Sequence, residues 1–227
     1  TYGALIQALT RNPLADPGIL GVNAGASFFV LIAVGYLGMT SLQSYIWFAF
    51  LGAIITTVMV YVVGSSGRNG ATPVTLTLAG VAIGAILGGV STALTLLNPT
   101  AFDRMRFWAA GALSGGTYEA VTTVAPFLIV GLLLAALMAR PLNAVALGDD
   151  LAKSLGANIV RVRTVVVIAV TLLAGGATAA VGPIGFVGLM VPHVARWIVG
   201  PDQRWIMAYT VVLAPVLLLI SDIIGRI

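Results

Sequence analysis

Two adjacent acids and the only lysine of the chain, Asp149, Asp150 and Lys153, stand together in the stretch PLNAVALGDDLAKSLGANI, residues 141–159. Such charges can pair with charges on another protein. Gly148 and Gly156 bracket a short helical pattern, and Leu147, Leu151 and Leu155 recur every four residues, on one face of a helix. A polar, capped, amphipathic segment between two strongly apolar runs is too short for a domain and too patterned for a tether. It reads as a handle gripped by another protein. Elsewhere, His193 is the single histidine and there is no cysteine, so a structural metal site is not expected. His193 follows Pro192, and its expected use is a hydrogen bond to a backbone carbonyl that the proline frees.

Enzyme chemistry fares poorly. A P-loop needs G-x-x-x-x-G-K-[ST]. Residues 148–154 read GDDLAKS, with Ala152 where the second glycine should stand and two aspartates that would repel phosphate. The chain is therefore not expected to hydrolyse ATP; any energy comes from a partner. The run GSSG, residues 64–67, matches the G-x-S-G pattern of intramembrane serine proteases. Yet Ser66 falls in a polar turn beside Arg68, and a serine nucleophile needs a base within reach. A Gly/Ser turn is the better reading. No acid sits mid-span for ion coupling; Asp222 and Arg226 are four apart on one helix and are expected to pair.

The elements that carry these residues belong in lipid. Of 227 residues 59% are hydrophobic and 8% charged, against about 25% charged in a soluble domain. Such a chain cannot cover a water-facing surface, so the fold class is an all-α polytopic membrane bundle. The 11 basic residues are scattered between apolar runs rather than gathered on a face, which argues against nucleic acid as a partner. Residues 2–9 read as the tail of a span. Crossings follow at 19–37, 45–63, 74–97, 120–139, 164–181, 184–199 and 205–224, the sixth short and broken by Pro192. Residues 98–119 form a short interfacial helix and a turn. Pro126 is expected to kink the fourth crossing. Gly80, Gly84 and Gly88 make a small-residue stripe expected to pack against another helix. Both chain ends look cut.

Alternation of these seven crossings puts Arg11, Arg68, Arg140, Lys153, Arg161, Arg163, Arg196 and Arg204 on one side and Arg104, Arg106 and Arg226 on the other. The positive-inside bias makes the richer side cytoplasmic. The handle is then cytoplasmic, and the segment from Asp103 to Trp108 faces outward.

Six motifs, in order, resemble one family: the permease subunits of bacterial ABC importers for iron–siderophore complexes, haem and vitamin B12. They are RNPLADPGILGVNAGASF (11–28), LAGVAIG (78–84), RFWAAGALSG (106–115), ALGDDLAKSLGANI (146–159), GPIGFVGLMVPHVAR (182–196) and SDIIGR (221–226). The resemblance covers the whole chain. RFWAAGALSG is similar to the siderophore members, with Ala112 where serine is common; haem or vitamin B12 is the alternative cargo.

The resemblance implies a single permease domain over 1–227, a piece of a ten-span subunit of the bacterial cytoplasmic membrane, with no catalytic role and no cofactor. It implies a coupling segment at 141–159, where Leu147, Gly148, Asp149, Asp150, Ala152, Leu155 and Gly156 would meet a cytoplasmic ATPase subunit. It implies a cytoplasmic gate at Thr72 and Pro73. Arg226 would dock an extracytoplasmic substrate-binding protein, and a second permease, identical or related, would complete the pathway.

Overall fold

Prolines, glycines and capping side chains decide where the helices begin and end. The computed structural model describes residues 1–67, 72–111 and 118–225. Among these residues every regular element is helical. The order is α1 (Tyr2–Thr10), α2 (Val22–Leu31), α3 (Leu42–Ser65), α4 (Pro73–Leu97), α5 (Pro99–Ala110), α6 (Tyr118–Ala146), α7 (Asp149–Ser154), α8 (Ile159–Val181), α9 (Val187–Val199) and α10 (Gln203–Ile224). A 3-10 turn, Pro17–Leu20, precedes α2, and a π-helical turn, Ile32–Tyr36, continues it.

Among the described residues five helices, α3, α4, α6, α8 and α10, are long and apolar enough to cross a membrane. The stretches 19–37 and 184–199, also expected to cross, form shorter helices, Val22–Tyr36 and Val187–Val199. The reason is local. Gly21 and Gly38 take positive φ on either side of α2, and Gly182, Pro183 and Phe186 hold the chain out of helix ahead of α9. Asn98 caps α5 by accepting from the Ala101 N–H at 3.1 Å, and Pro99 opens it, so a short helix stands within 98–119 as expected.

The chain divides into two compact units. One comprises residues 17–128 and 174–184. Its core is the contact of α2 with α3, where backbone meets backbone: a Cβ on Gly25 would lie 2.6 Å from Thr56 Cβ, and one on Gly52 would lie 2.8 Å from the Gly25 carbonyl carbon. Phe50 and Phe127 stack at 4.6 Å between centroids beside Trp47. The other unit comprises residues 1–16, 129–173 and 185–227. In it α9 packs on α1 and on α10, and Gly131 lets Leu173 approach closely.

Two expectations change. The stripe of Gly80, Gly84 and Gly88 is not a packing face within the described chain. Gly80 is buried, but a Cβ on Gly84 would reach only Ala24 at 3.9 Å, and one on Gly88 would meet nothing within 4 Å. The outward side of α4 faces open space, and close approach falls instead at Gly25, Gly52 and Gly3. The handle is also shorter than 141–159: α6 runs on through Arg140 and Pro141 to Ala146, because Leu142 and Val145 are fully buried and keep the helix docked. Arg68, residues 112–115 of the RFWAAGALSG motif, and Arg226 lie outside the described residues. So does any pair of Asp222 with Arg226.

Candidate functional site

The handle is built from its glycines outward. Gly148 ends the turn after α6 at φ 119° and ψ 151°, a conformation open in practice only to glycine. Asp149 and Asp150 then occupy the first turn of α7, where negative charge favours the positive end of the peptide dipoles. Lys153 stands in the last turn. Gly156, at φ 83°, closes the helix: its N–H donates to the Lys153 carbonyl at 2.9 Å and that of Ala157 donates to Ala152 at 2.9 Å, the paired bonds of a Schellman cap. Asn158 then opens α8 by accepting from the Arg161 N–H at 3.0 Å.

α7 has one inward residue and several outward ones. Ala152 is fully buried. Leu147, Leu151 and Leu155 are 64%, 57% and 67% exposed, three large apolar side chains presented together on a polar segment. Leu147 lies in the turn before α7 and Leu155 caps its end, so the expected single helical face spans a helix and both of its flanks.

The two acids divide their work. Asp149 accepts from Arg163 Nη2 at 2.8 Å and also pairs with the Arg11 guanidinium. Arg11 Nε donates in turn to the Val145 carbonyl at 3.0 Å, in the last turn of α6, where a cation meets the negative end of the peptide dipoles. Asp150 has a fully exposed side chain and lies 3.9 Å from Lys153, an exposed i,i+3 pair of little energetic weight. Asp149 therefore braces α7 from within, and Asp150 faces outward.

Arg11 was legible in the sequence only as a positive charge. The structure puts it at φ 51°, ending α1 in the left-handed region. The Asn12 N–H donates to Gln7 and that of Arg11 to Ala8, so Arg11 stands where glycine is usual, at a strain of about 1 kcal/mol. Phe186 is the other non-glycine residue at positive φ among the described residues, 65°, and its ring is 73% exposed.

His193 differs from expectation. Its Nδ1 is buried and has no hydrogen-bond partner among the described residues, and its ring lies edge-on to Trp197 with centroids 4.7 Å apart. The carbonyl of Leu189 accepts from Gln7 Nε2 at 3.2 Å. Gln7 Oε1 accepts from Arg196 Nη2 at 3.1 Å. Gln7 was missed in the sequence because one amide in an apolar helix carries no pattern; its spacing four residues before Arg11 was the available signal.

At the other expected sites the local reason is plain. Thr72 Oγ1 accepts from the Thr75 N–H at 3.2 Å, and Thr75 Oγ1 accepts from the Thr72 N–H at 3.0 Å, a reciprocal cap with Pro73 opening α4. Ser66 Oγ donates to the Val62 carbonyl at 2.6 Å, which ties up the hydroxyl at the end of α3 as a turn residue does. Asp202 caps α10, accepting from the Arg204 N–H at 3.0 Å and from Asn143 Nδ2 at 2.8 Å. The Arg204 side chain, then Asn143, hold its carboxyl well below the usual carboxylate range. Among the described residues no three of His, Cys, Asp or Glu gather as a metal site would need.

The model of the FecCD transport family matches residues 1–227. The chain is 48% identical over 226 residues to the ferric enterobactin transport system permease protein FepD of Escherichia coli, covering 99% of this chain and 67% of that protein. It is 40% identical over 224 residues to the Fe(3+)-citrate import system permease protein YfmD of Bacillus subtilis, covering 99% and 66%. The chain thus spans about two thirds of these relatives' length. A solved structure described as an inward-facing conformation of a metal-chelate type ABC transporter superposes with a TM-score of 0.89 at 26% identity, over 99% of this chain and 71% of that one.

Proposed function

The chain belongs to the FecCD transport family, and from that premise we propose that it forms part of the membrane-spanning permease subunit of an ATP-driven importer. Its cargo is an iron–siderophore complex, carried across the bacterial cytoplasmic membrane. The observation that carries this reading is the handle: a capped six-residue helix between two membrane-length helices, braced by Arg11 and Arg163, with Leu147, Leu151, Leu155 and Asp150 turned outward.

Those outward residues fit a groove on a cytoplasmic ATPase subunit, the leucines supplying apolar area and Asp150 a charge that fixes register. Gly148 and Gly156 hold the segment's shape, Ala152 seats it and Asp149 keeps it at a fixed angle. ATP closes the ATPase pair, the handles move together, and the helices rock so that the pathway opens to each side in turn. The chain itself has no nucleotide-binding loop, so hydrolysis belongs to the ATPase. Seven crossings, two of them short, give the topology in which the handle is cytoplasmic. The open lane along α4 at Gly84 and Gly88 suits close approach of a second permease, with the pathway between the two. Thr72 and Pro73 sit at the cytoplasmic end of that lane as its gate, and Arg226 meets the substrate-binding protein outside.

The test is reconstitution of the full-length permease with its ATPase and binding protein in proteoliposomes. ATP-dependent uptake of an iron–siderophore complex is the expected result. Uptake of haem or vitamin B12 in its place changes the cargo but not the class. Cleavage of a membrane substrate, abolished by Ser66→Ala, would revive the protease reading and sink this one.

A further inference from the structure

Gly3 and Gln7 are four apart on one face of α1, and Arg11, four further on, ends that helix. Each touches something different. Gly3 lies against the backbone of Gly188 so closely that a Cβ there would fall 2.5 Å from the Gly188 carbonyl carbon. Gln7, 2% exposed, holds the Leu189 carbonyl through Nε2 and Arg196 through Oε1. Arg11 holds Asp149 of the handle and the Val145 carbonyl at the end of α6. α9 carries Pro192 inside it. A proline has no N–H for the residue four before it, which here is Gly188, and a helix is weakest at that point. Gly3 and the Leu189 bond therefore grip α9 ahead of the proline, and the Arg196 bond grips it beyond.

We propose that α1 is a strut that carries displacement of the handle to α9, with Arg11 and Gln7 as its two positioning residues. When Asp149 is pulled by the ATPase, Arg11 draws α1 along, and Gln7 passes that shift to both sides of Pro192. A polar contact is needed at each end because apolar side chains slide over one another, whereas a guanidinium–carboxylate pair and a doubly bonded amide hold register. The backbone of Arg11 supports the assignment. A left-handed position that glycine would fill without strain is occupied by an arginine, whose guanidinium holds Asp149 and the Val145 carbonyl.

This rests on the importer reading above. The test uses the full-length permease with its ATPase and binding protein in proteoliposomes. Two variants are made, Arg11→Gly and Gln7→Leu, and three quantities are read: ATPase co-purification, ATP hydrolysis rate and cargo moved per ATP. Arg11→Gly relieves the left-handed strain but removes the Asp149 pair and the Val145 bond, so a merely structural role predicts a small change in stability with cargo per ATP near that of wild type. The strut predicts normal ATPase binding, sustained hydrolysis and a fall of about tenfold in cargo per ATP for both variants. Cargo per ATP within twofold of wild type for Arg11→Gly overturns the strut and leaves the importer reading intact. A wild-type complex that binds no ATPase overturns both.

Discussion

Alanine at Gly3 separates helix propensity from packing. In a helix alanine is favoured over glycine by about 1 kcal/mol, so propensity alone would make Gly3→Ala stabilising. Packing reverses the sign. The new Cβ would lie 2.5 Å from the Gly188 carbonyl carbon and 2.7 Å from its Cα, where two carbons rest at about 3.5 Å. α1 and α9 must part by about 1 Å. Overpacking costs about 1–3 kcal/mol, and the obstacle here is backbone, which cannot rotate aside, so the upper end applies. Parting the helices also stretches the Gln7 bonds to Leu189 and Arg196, now 3.2 and 3.1 Å, out of range, for about 2 kcal/mol more. The net loss is about 4 kcal/mol. At about 2–4 °C per kcal/mol the midpoint falls by about 10 °C. The assay is thermal loss of the monodisperse full-length protein in detergent. Gly185→Ala is the control, since a Cβ there meets nothing within 4 Å, and its shift should stay under about 2 °C. A Gly3→Ala midpoint within 2 °C of wild type would refute the close-approach argument.

Further expectations separate bracing from docking. Asp149→Asn should lower stability by about 1–2 kcal/mol, since its ion pairs are partly exposed, whereas Asp150→Lys should leave the melting midpoint unchanged and abolish ATPase co-purification. Equal destabilisation by the two substitutions would erase the distinction drawn between them. Phe186→Gly should raise stability by about 1 kcal/mol, because an exposed ring gives little to offset its left-handed backbone; thermal unfolding reads this directly. Asp202 has a folded pKa below its unfolded value. The stability it contributes is complete above the ordinary aspartate range and is lost as pH falls through and below about 4. Asp202→Asn should remove that part of the acid decline in a pH series of melting midpoints, and an unaltered acid limb would count against it.

Part of the local physics read from the sequence is visible in the described residues. Gly148 and Gly156 were marked as brackets, and each takes a positive φ that ends or begins an element. Pro99 opens α5 and Pro73 opens α4, as a missing N–H allows. What was misread depended on neighbours far off in sequence. Pro141 was read as the first residue of the handle, and burial of Leu142 and Val145 carries α6 past it. Gly80, Gly84 and Gly88 were read as a helix-packing stripe, and spacing shows such a face without showing what covers it; within the described residues Gly84 and Gly88 meet no close neighbour. His193 was assigned the carbonyl that Pro192 frees, and its buried Nδ1 has no hydrogen-bond partner among the described residues.

The sequence by itself determined the solvent, the helices and the handle. Hydropathy, the lack of charge, and the glycines and caps are local properties, and each acts within a few residues of where it is written. Only the tertiary structure decided which acid of the handle faces inward, that Arg11 is bound to it across 138 positions, and that Gln7 joins α1 to α9. Those outcomes follow from which helices touch. An ion pair between distant residues leaves no periodicity along the chain, and its partners become neighbours only once apolar faces have packed.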